Sequence, residues 1–360
     1  MTVLWVNLIL VYFFSFFARY FSKPAIEENL FNQPNIQPNK FLVFCTMSTL
    51  VLVSGLRNNV GDTYFYMYSY SISNFSWEEI KAGKDIGFNI IQMFLKQISD
   101  DPQIMIFVTA LITNVFIVLV LYKYTRMFEL SIYVYVTSGM YLTSMNGIRQ
   151  YLAAAIIFMA TKYIFEGNWK KYVIVVLIAS TIHQSAIILI PIYFIVRRKA
   201  WSWETYVFLF VAVLIVIGFN QFIDVLFTVI EDSQYSEYKN FSGGGANILR
   251  VVVNAAPIIL AYLGRDKLRE VFPKSDYIVN MSILGLIFMI ISTQNWIFAR
   301  MSIYFGLYQL ILISWVVKVF TQRDQKVIYY AILFFYFIFY YYECVISYGG
   351  VGYRSDFIKF

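Results

Sequence analysis

Histidine and charge are what this chain has least of: His183 is the one histidine in 360 residues, and Asp, Glu, Lys and Arg together make up 14%. With 60% hydrophobic residues, it has too little polar surface to coat a soluble globule of this size and reads as an integral membrane protein. The two cysteines, Cys45 and Cys344, fall inside apolar segments with no CxxC or Cys/His neighbours. That points to small packing residues, away from a disulfide scaffold or a metal site. No GxxxxGKS/T, HExxH or GxSxG motif occurs, which argues against a P-loop ATPase, a zinc protease and an α/β-hydrolase. Asp100-Asp101 before Pro102 is a helix start rather than a metal site, and no cofactor is expected.

The net charge of +7 does not imply nucleic acid, because Lys and Arg sit in short clusters between apolar segments and form no long basic face. They are topology signals and contacts to membrane lipid. Spans of about 20 mostly apolar residues lie near 2–21, 40–56, 103–122, 130–146, 149–166, 204–223, 248–264, 277–294, 299–319 and 327–347. The expected fold is therefore all-α, a single polytopic transmembrane domain over 1–360 with about 10 transmembrane helices. Val3 to Phe17 lacks a basic region before it and a small-residue cleavage site after it, so it is read as a retained helix, not a signal peptide.

Clusters at Lys123/Arg126, Lys170/Lys171, Arg265–Lys274 and Lys318–Lys326 put those loops inside by the positive-inside rule. Both termini, a long loop at 57–101 and a second loop at 224–247, acidic and glycine-rich, then lie outside. Trp77 to Ile98 within the first loop is expected to form an interfacial helix. The run 172–196 breaks the pattern, because a single span there would put Arg197, Arg198 and Lys199 outside. A re-entrant pair of half-helices meeting near His183 removes the conflict, each arm of about twelve residues rising only about 18 Å. A plain span with an imperfect charge pattern is the alternative.

Four polar places stand out. An ionisable group at membrane depth marks a functional site by default, which singles out His183, flanked by Ser180, Thr181, Gln184 and Ser185. A histidine bonded to a neighbouring hydroxyl would look the same. Arg149 opens a helix in which Asn146, Gln150 and Ala153 share its face by spacing, placing it at a cavity rim; a snorkelling arginine is the bland reading. Arg300 follows Gln294, Asn295 and Trp296, with Tyr304 and Tyr308 continuing its face. It suits an anionic or sugar ligand, or an aromatic belt. Arg57 to Tyr66, with Asp62, mixes a cation, a carboxylate and aromatics in a way that fits carbohydrate recognition or an ordinary Asx turn. All four lie outside or are lifted there by the hairpin, around a cavity suited to an anionic lipid-linked substrate.

At these residues the chain resembles the EpsG-like family of Wzy-type bacterial polysaccharide (exopolysaccharide or O-antigen) polymerases. The resemblance rests on Arg57-x-x-Val-Gly-Asp62-Thr-x-x-Tyr66, on Arg149-Gln150-Tyr151-Leu152-Ala153, on Ile178 to Ala186 around His183, and on Arg300-x-x-x-Tyr304. It implies a GT-C-like, metal-independent membrane glycosyltransferase in the bacterial inner (plasma) membrane. The active site would face the periplasm or cell exterior and join undecaprenyl-diphosphate-linked oligosaccharide repeat units, with a chain-length regulator as a further partner. In that reading Arg149 and Arg300 hold the departing diphosphate and His183 is the general base or orients a phosphate. Arg57, Asp62, Tyr66, Gln150, Gln184 and Tyr304 would bind substrate. A lipid-linked oligosaccharide transporter or flippase, a membrane acyltransferase and a non-catalytic scaffold are the rivals. The first should show internal pseudo-symmetry, and no repeat is visible.

Overall fold

The computed structural model describes residues 1–24, 36–229, 244–347 and 349–358, and apart from a two-stranded pair, Lys23–Pro24 with Ile36–Gln37, its regular elements are helices. Each expected span falls on a helix, and among the described residues four helices are long and apolar enough to cross a membrane alone: Thr2–Tyr20, Gln103–Tyr124, Ile297–Val319 and Gln322–Ser347. A fifth is reached if Ile248–Leu263 and Arg265–Val271, bent by 80°, count as one. The count of about ten taken from hydropathy exceeds what helix length and composition alone support. Several apolar runs are interrupted: 130–146 breaks at Gly139, whose φ of 84° favours glycine. The run 204–223 breaks at Gly218, between Trp203–Ile217 and Phe219–Val229. Hydropathy averages over such breaks, whereas a helix needs continuous backbone hydrogen bonding. Most of the external loop expected at 224–247 lies outside the described residues.

The core is built around Ile297–Val316, most of whose side chains are buried, packed against Ser275–Ile291. Their close approach runs through Gly285, where an added Cβ would stand 3.1 Å from the Phe305 Cβ, and the rings of Phe288 and Phe305 stack at 5.4 Å. Small residues at such crossings are how helices associate where lipid removes the usual hydrophobic drive. Phe128–Thr137 is buried on all sides, and its Glu129 pairs with Arg19 of the first helix. Buried Trp315 is satisfied by protein, its Nε1 donating to the Tyr124 carbonyl at 2.8 Å.

The run containing His183 doubles back. Trp169–Ile182 stops at His183, whose backbone is extended (φ −149°, ψ 111°), and a 3-10 turn, Gln184–Ile188, leads into Leu189–Val196. The arms lie side by side: Tyr172 meets Tyr193 at 5.0 Å between ring centroids and Trp169 meets Phe194 at 6.4 Å. The guanidinium of Arg197 closes the base on the Ile164 carbonyl. Fourteen residues rise about 21 Å as helix, short of a hydrocarbon core of about 30 Å. The reversal expected from charge bookkeeping is present, with His183 at its tip. Ser180 and Thr181 turn their hydroxyls onto the carbonyls of Leu177 and Ile178, competing with further helix.

The loop 57–101 folds into three helices, Thr63–Ile72, Trp77–Ala82 and Ile86–Ile98, so the single interfacial helix expected over 77–98 is divided at Gly83 to Asp85. Arg57 is 1% exposed. Its Nε donates to Thr63 Oγ1 at 3.0 Å, its Nη2 to the Met145 carbonyl at 2.6 Å, and its Nη1 to the Ser54 carbonyl. The expected substrate contact is corrected accordingly: this guanidinium is committed to protein oxygens and ties the loop to the start of the Arg149 region. Arg57→Ala would leave those buried acceptors unsatisfied, at about 1–3 kcal/mol each. The expected outcome is a clear fall in detergent melting temperature, with Arg57→Lys recovering little because an ammonium cannot reproduce the fork. An unchanged melting temperature would remove this structural assignment.

Candidate functional site

The site is organised by a carboxylate that the motif reading passed over, Asp85. It precedes the Ile86–Ile98 helix yet makes no side-chain cap there. Its carboxylate turns instead toward the hairpin and the Arg149 helix. Oδ2 accepts from Arg149 Nη1 at 2.7 Å and lies 3.5 Å from His183 Nδ1, while Oδ1 accepts from the Gln184 backbone N–H at 3.1 Å. The side chain of Asp85 is 1% exposed, that of His183 12% and that of Arg149 41%. A buried anion thus joins three segments far apart in sequence, and its two partners keep a face toward solvent.

Close packing makes the junction possible. A Cβ at Gly87 would lie 2.2 Å from Thr181 Oγ1, so only glycine lets the Ile86–Ile98 helix approach the hairpin tip so closely. A glycine in the first turn costs helix stability, and with Gly83 and Gly87 bracketing an acid it was the available sequence signal for a close approach. Tyr66 completes the group: its hydroxyl accepts from Arg149 Nε at 3.2 Å and its ring lies 5.7 Å from the guanidinium.

Electrostatics follow from this geometry. Burial pushes the Asp85 carboxyl upward, but contact with His183, the charge of Arg149 and the Gln184 N–H outweigh it and hold the group below its ordinary value. Nδ1 is the His183 nitrogen that faces the carboxylate, without a formed hydrogen bond, and Nε2 lies across the ring from it. Among the described residues no three of His, Cys, Asp and Glu gather as metal ligands.

Beside this group lies a cavity of about 530 Å³ whose wall includes Gln150, Arg300, Trp296, Arg250 and Glu343, but not Arg149 or His183. The single face expected for Arg149 and Gln150 is therefore divided: one turns to Asp85, the other to the cavity. Gln150 Nε2 donates to the Arg300 carbonyl at 2.8 Å, which ties the two places together. The guanidinium of Arg300 sits 4.9 Å from the Trp296 ring, not above the two phenols expected. Tyr304 and Tyr308 are fully buried. The Tyr304 hydroxyl pairs with Ser185 Oγ at 2.8 Å, so this residue fastens the hairpin to the Arg300 helix and is corrected from ligand contact to support. The side chain of Gln184 is exposed beside His183. Asp62 is half-buried and holds Asn146 Oδ1 through its backbone N–H at 2.9 Å, apart from the Asp85 group.

Because the folded Asp85 carboxyl is held low, the stability it contributes is complete above its unfolded value, about pH 4, and is lost as pH falls through the folded value. A melting-temperature difference between wild type and Asp85→Asn should shrink as pH falls below about 4. A difference that stayed undiminished below that pH would contradict the assignment.

No curated protein and no solved structure matches the chain. A family match extends over residues 40–355, taking in the loop that carries Asp85, the Arg149 helix, the His183 hairpin and the Arg300 cavity. By that match, which covers nearly the whole helical assembly, the chain belongs to the EpsG family, the family of exopolysaccharide and Wzy-type polymerase-like proteins.

Proposed function

We propose that this protein is a membrane glycosyltransferase that polymerises oligosaccharide repeat units carried on a polyprenyl (undecaprenyl) diphosphate, on the external face of the bacterial plasma membrane. A GT-C-like arrangement of about ten membrane segments, some of them broken, belongs to the same proposal. The observation that carries it is the buried Asp85 carboxylate shared by His183 and Arg149. It is an acid–histidine–cation group at the tip of a doubled-back segment, in a chain of a polysaccharide-polymerase-like family.

The chemistry runs as follows. His183 Nε2 takes the proton of an acceptor sugar hydroxyl as its oxygen attacks the anomeric carbon of the donor glycan. The bond from that carbon to the diphosphate oxygen breaks, and the electron pair leaves with the diphosphate. Asp85 positions His183 and stabilises its charged form after proton transfer. Arg149 and Arg300 meet the charge that develops on the leaving group, preorganised charge of this kind being a large catalytic contribution. Arg149 shares its charge with Asp85, whereas Arg300 forms no ion pair among the described residues. Arg300 is therefore the stronger of the two diphosphate ligands. Gln150, Tyr66 and the exposed Gln184 line the approach, and external sidedness rests on the Lys and Arg clusters.

Purified protein supplied with lipid-linked repeat units should give a polymer ladder that survives a chelator. His183→Ala should cut the rate by roughly 10² to 10⁴-fold at unchanged protein level and membrane insertion. Polymer of normal length and rate from His183→Ala would remove the base assignment. Vectorial movement of substrate across vesicles without any ladder would replace a polymerase by a transporter.

A further inference from the structure

The cavity beside the Asp85 group holds a second constructed feature that the proposed reaction leaves unused. Arg250 and Glu343 meet there as a two-pronged pair, Nε to Oε1 at 3.0 Å and Nη2 to Oε2 at 2.6 Å, with side-chain exposures of 30% and 9%. Glu343 is presented by a π-helical turn, Tyr342–Ser347, an uncommon element that recurs at functional sites. In the same wall Val60 is held at a φ of 83°, a strained conformation for a β-branched residue.

The chemistry of the wall selects the ligand. Paired with Glu343, Arg250 contributes no net charge, so the pair does not favour an anion. The Glu343 oxygens keep lone pairs beyond those engaged by Arg250 and can accept from hydroxyls. Nearby Asn254 and Gln309 add amides, which donate and accept, within the same wall. Val253, Met289 and Phe339 supply apolar surface between them, suited to the C–H faces of sugar rings. Arg300, on Trp296, stands in the same wall. A hydroxyl-rich ligand that also carries an anionic group fits this set of side chains. The volume, about 530 Å³, lies in the range of ligand pockets, about 300–1,000 Å³, enough for a short oligosaccharide.

We propose that this cavity is a carbohydrate subsite in which the Arg250–Glu343 pair reads hydroxyl groups of the glycan, with the glycan's diphosphate-bearing end toward Arg300. The assignment rests on the polymerase reading for the nature of its ligand. It differs from it in the residues that carry it, since neither Arg250 nor Glu343 takes part in proton transfer.

The probe is the repeat-unit oligosaccharide released from its lipid carrier by mild acid, titrated into purified full-length protein by calorimetry. Wild type should bind it. Glu343→Gln should weaken binding about tenfold or more, the range of one lost charge-assisted hydrogen bond. The exchanged pair Arg250→Glu with Glu343→Arg, which can re-form the bridge while transposing donor and acceptor, should keep the wild-type melting temperature and still bind weakly. Binding by Glu343→Gln and by the exchanged pair as tight as wild type would overturn the subsite, as would absence of binding by wild type. Ladder formation from lipid-linked units is measured in parallel. A ladder with unaltered Glu343→Gln binding overturns the subsite and leaves the polymerase reading standing. Loss of binding in Glu343→Gln without a ladder from any preparation upholds the subsite and removes the polymerase reading.

Discussion

The arrangement of the 57–101 loop and the His183 hairpin depends on one buried anion. Asp85 is 1% exposed, and a carboxylate taken so far from water must be paired or hydrogen-bonded. It finds Arg149, His183 and the Gln184 N–H, one from the Arg149 helix and two from the tip of the hairpin. No single partner would suffice at this depth, and none of the three comes from the neighbouring sequence. The need to satisfy Asp85 therefore specifies how the 57–101 loop sits on the helices it packs against. The supporting contacts run in the same direction: Tyr66 under Arg149, Gly87 against Thr181, and Tyr304 to Ser185.

The broken helices serve that arrangement. A continuous span would carry its residues through the membrane, whereas a helix that ends inside presents unpaired backbone groups and side chains at a chosen depth. Such irregular backbone is tolerated only when lined by protein or water. At His183 the lining comes from Ile86–Ile98 and Ile148–Met159, which pack on the first arm, and the Asp85 carboxylate takes up the exposed Gln184 N–H. The π-helical turn at Glu343 is a second interruption, and it too places an ionisable side chain against an arginine from another helix.

The three arginines of the sequence motifs fare differently. Arg149 stands where an external polar group was expected, but its charge is balanced locally by Asp85. Arg300 lines the cavity on a tryptophan. Arg57, equally prominent in the pattern Arg-Asn-Asn-Val-Gly-Asp, is sealed beneath its own loop. Composition treats these three guanidiniums alike; burial and partner oxygens separate them into a clamp, an open cation and a structural tie.

Membrane class, helical content and the reversal at His183 were legible in the sequence. Each follows from properties that add along the chain: hydropathy, the side on which Lys and Arg gather, and the length a helix can span. Asp85, the division between the Arg149 group and the cavity, the Arg250–Glu343 pair and the burial of Arg57, Tyr304 and Tyr308 were not. These depend on contacts between residues as far apart as Asp85 and His183, or Arg250 and Glu343, and on backbone breaks at Gly139 and Gly218 that hydropathy averages away. Periodicity can say that a residue lies on a polar face. Which face meets which partner is decided by packing in three dimensions, where one buried charge must find its counterions.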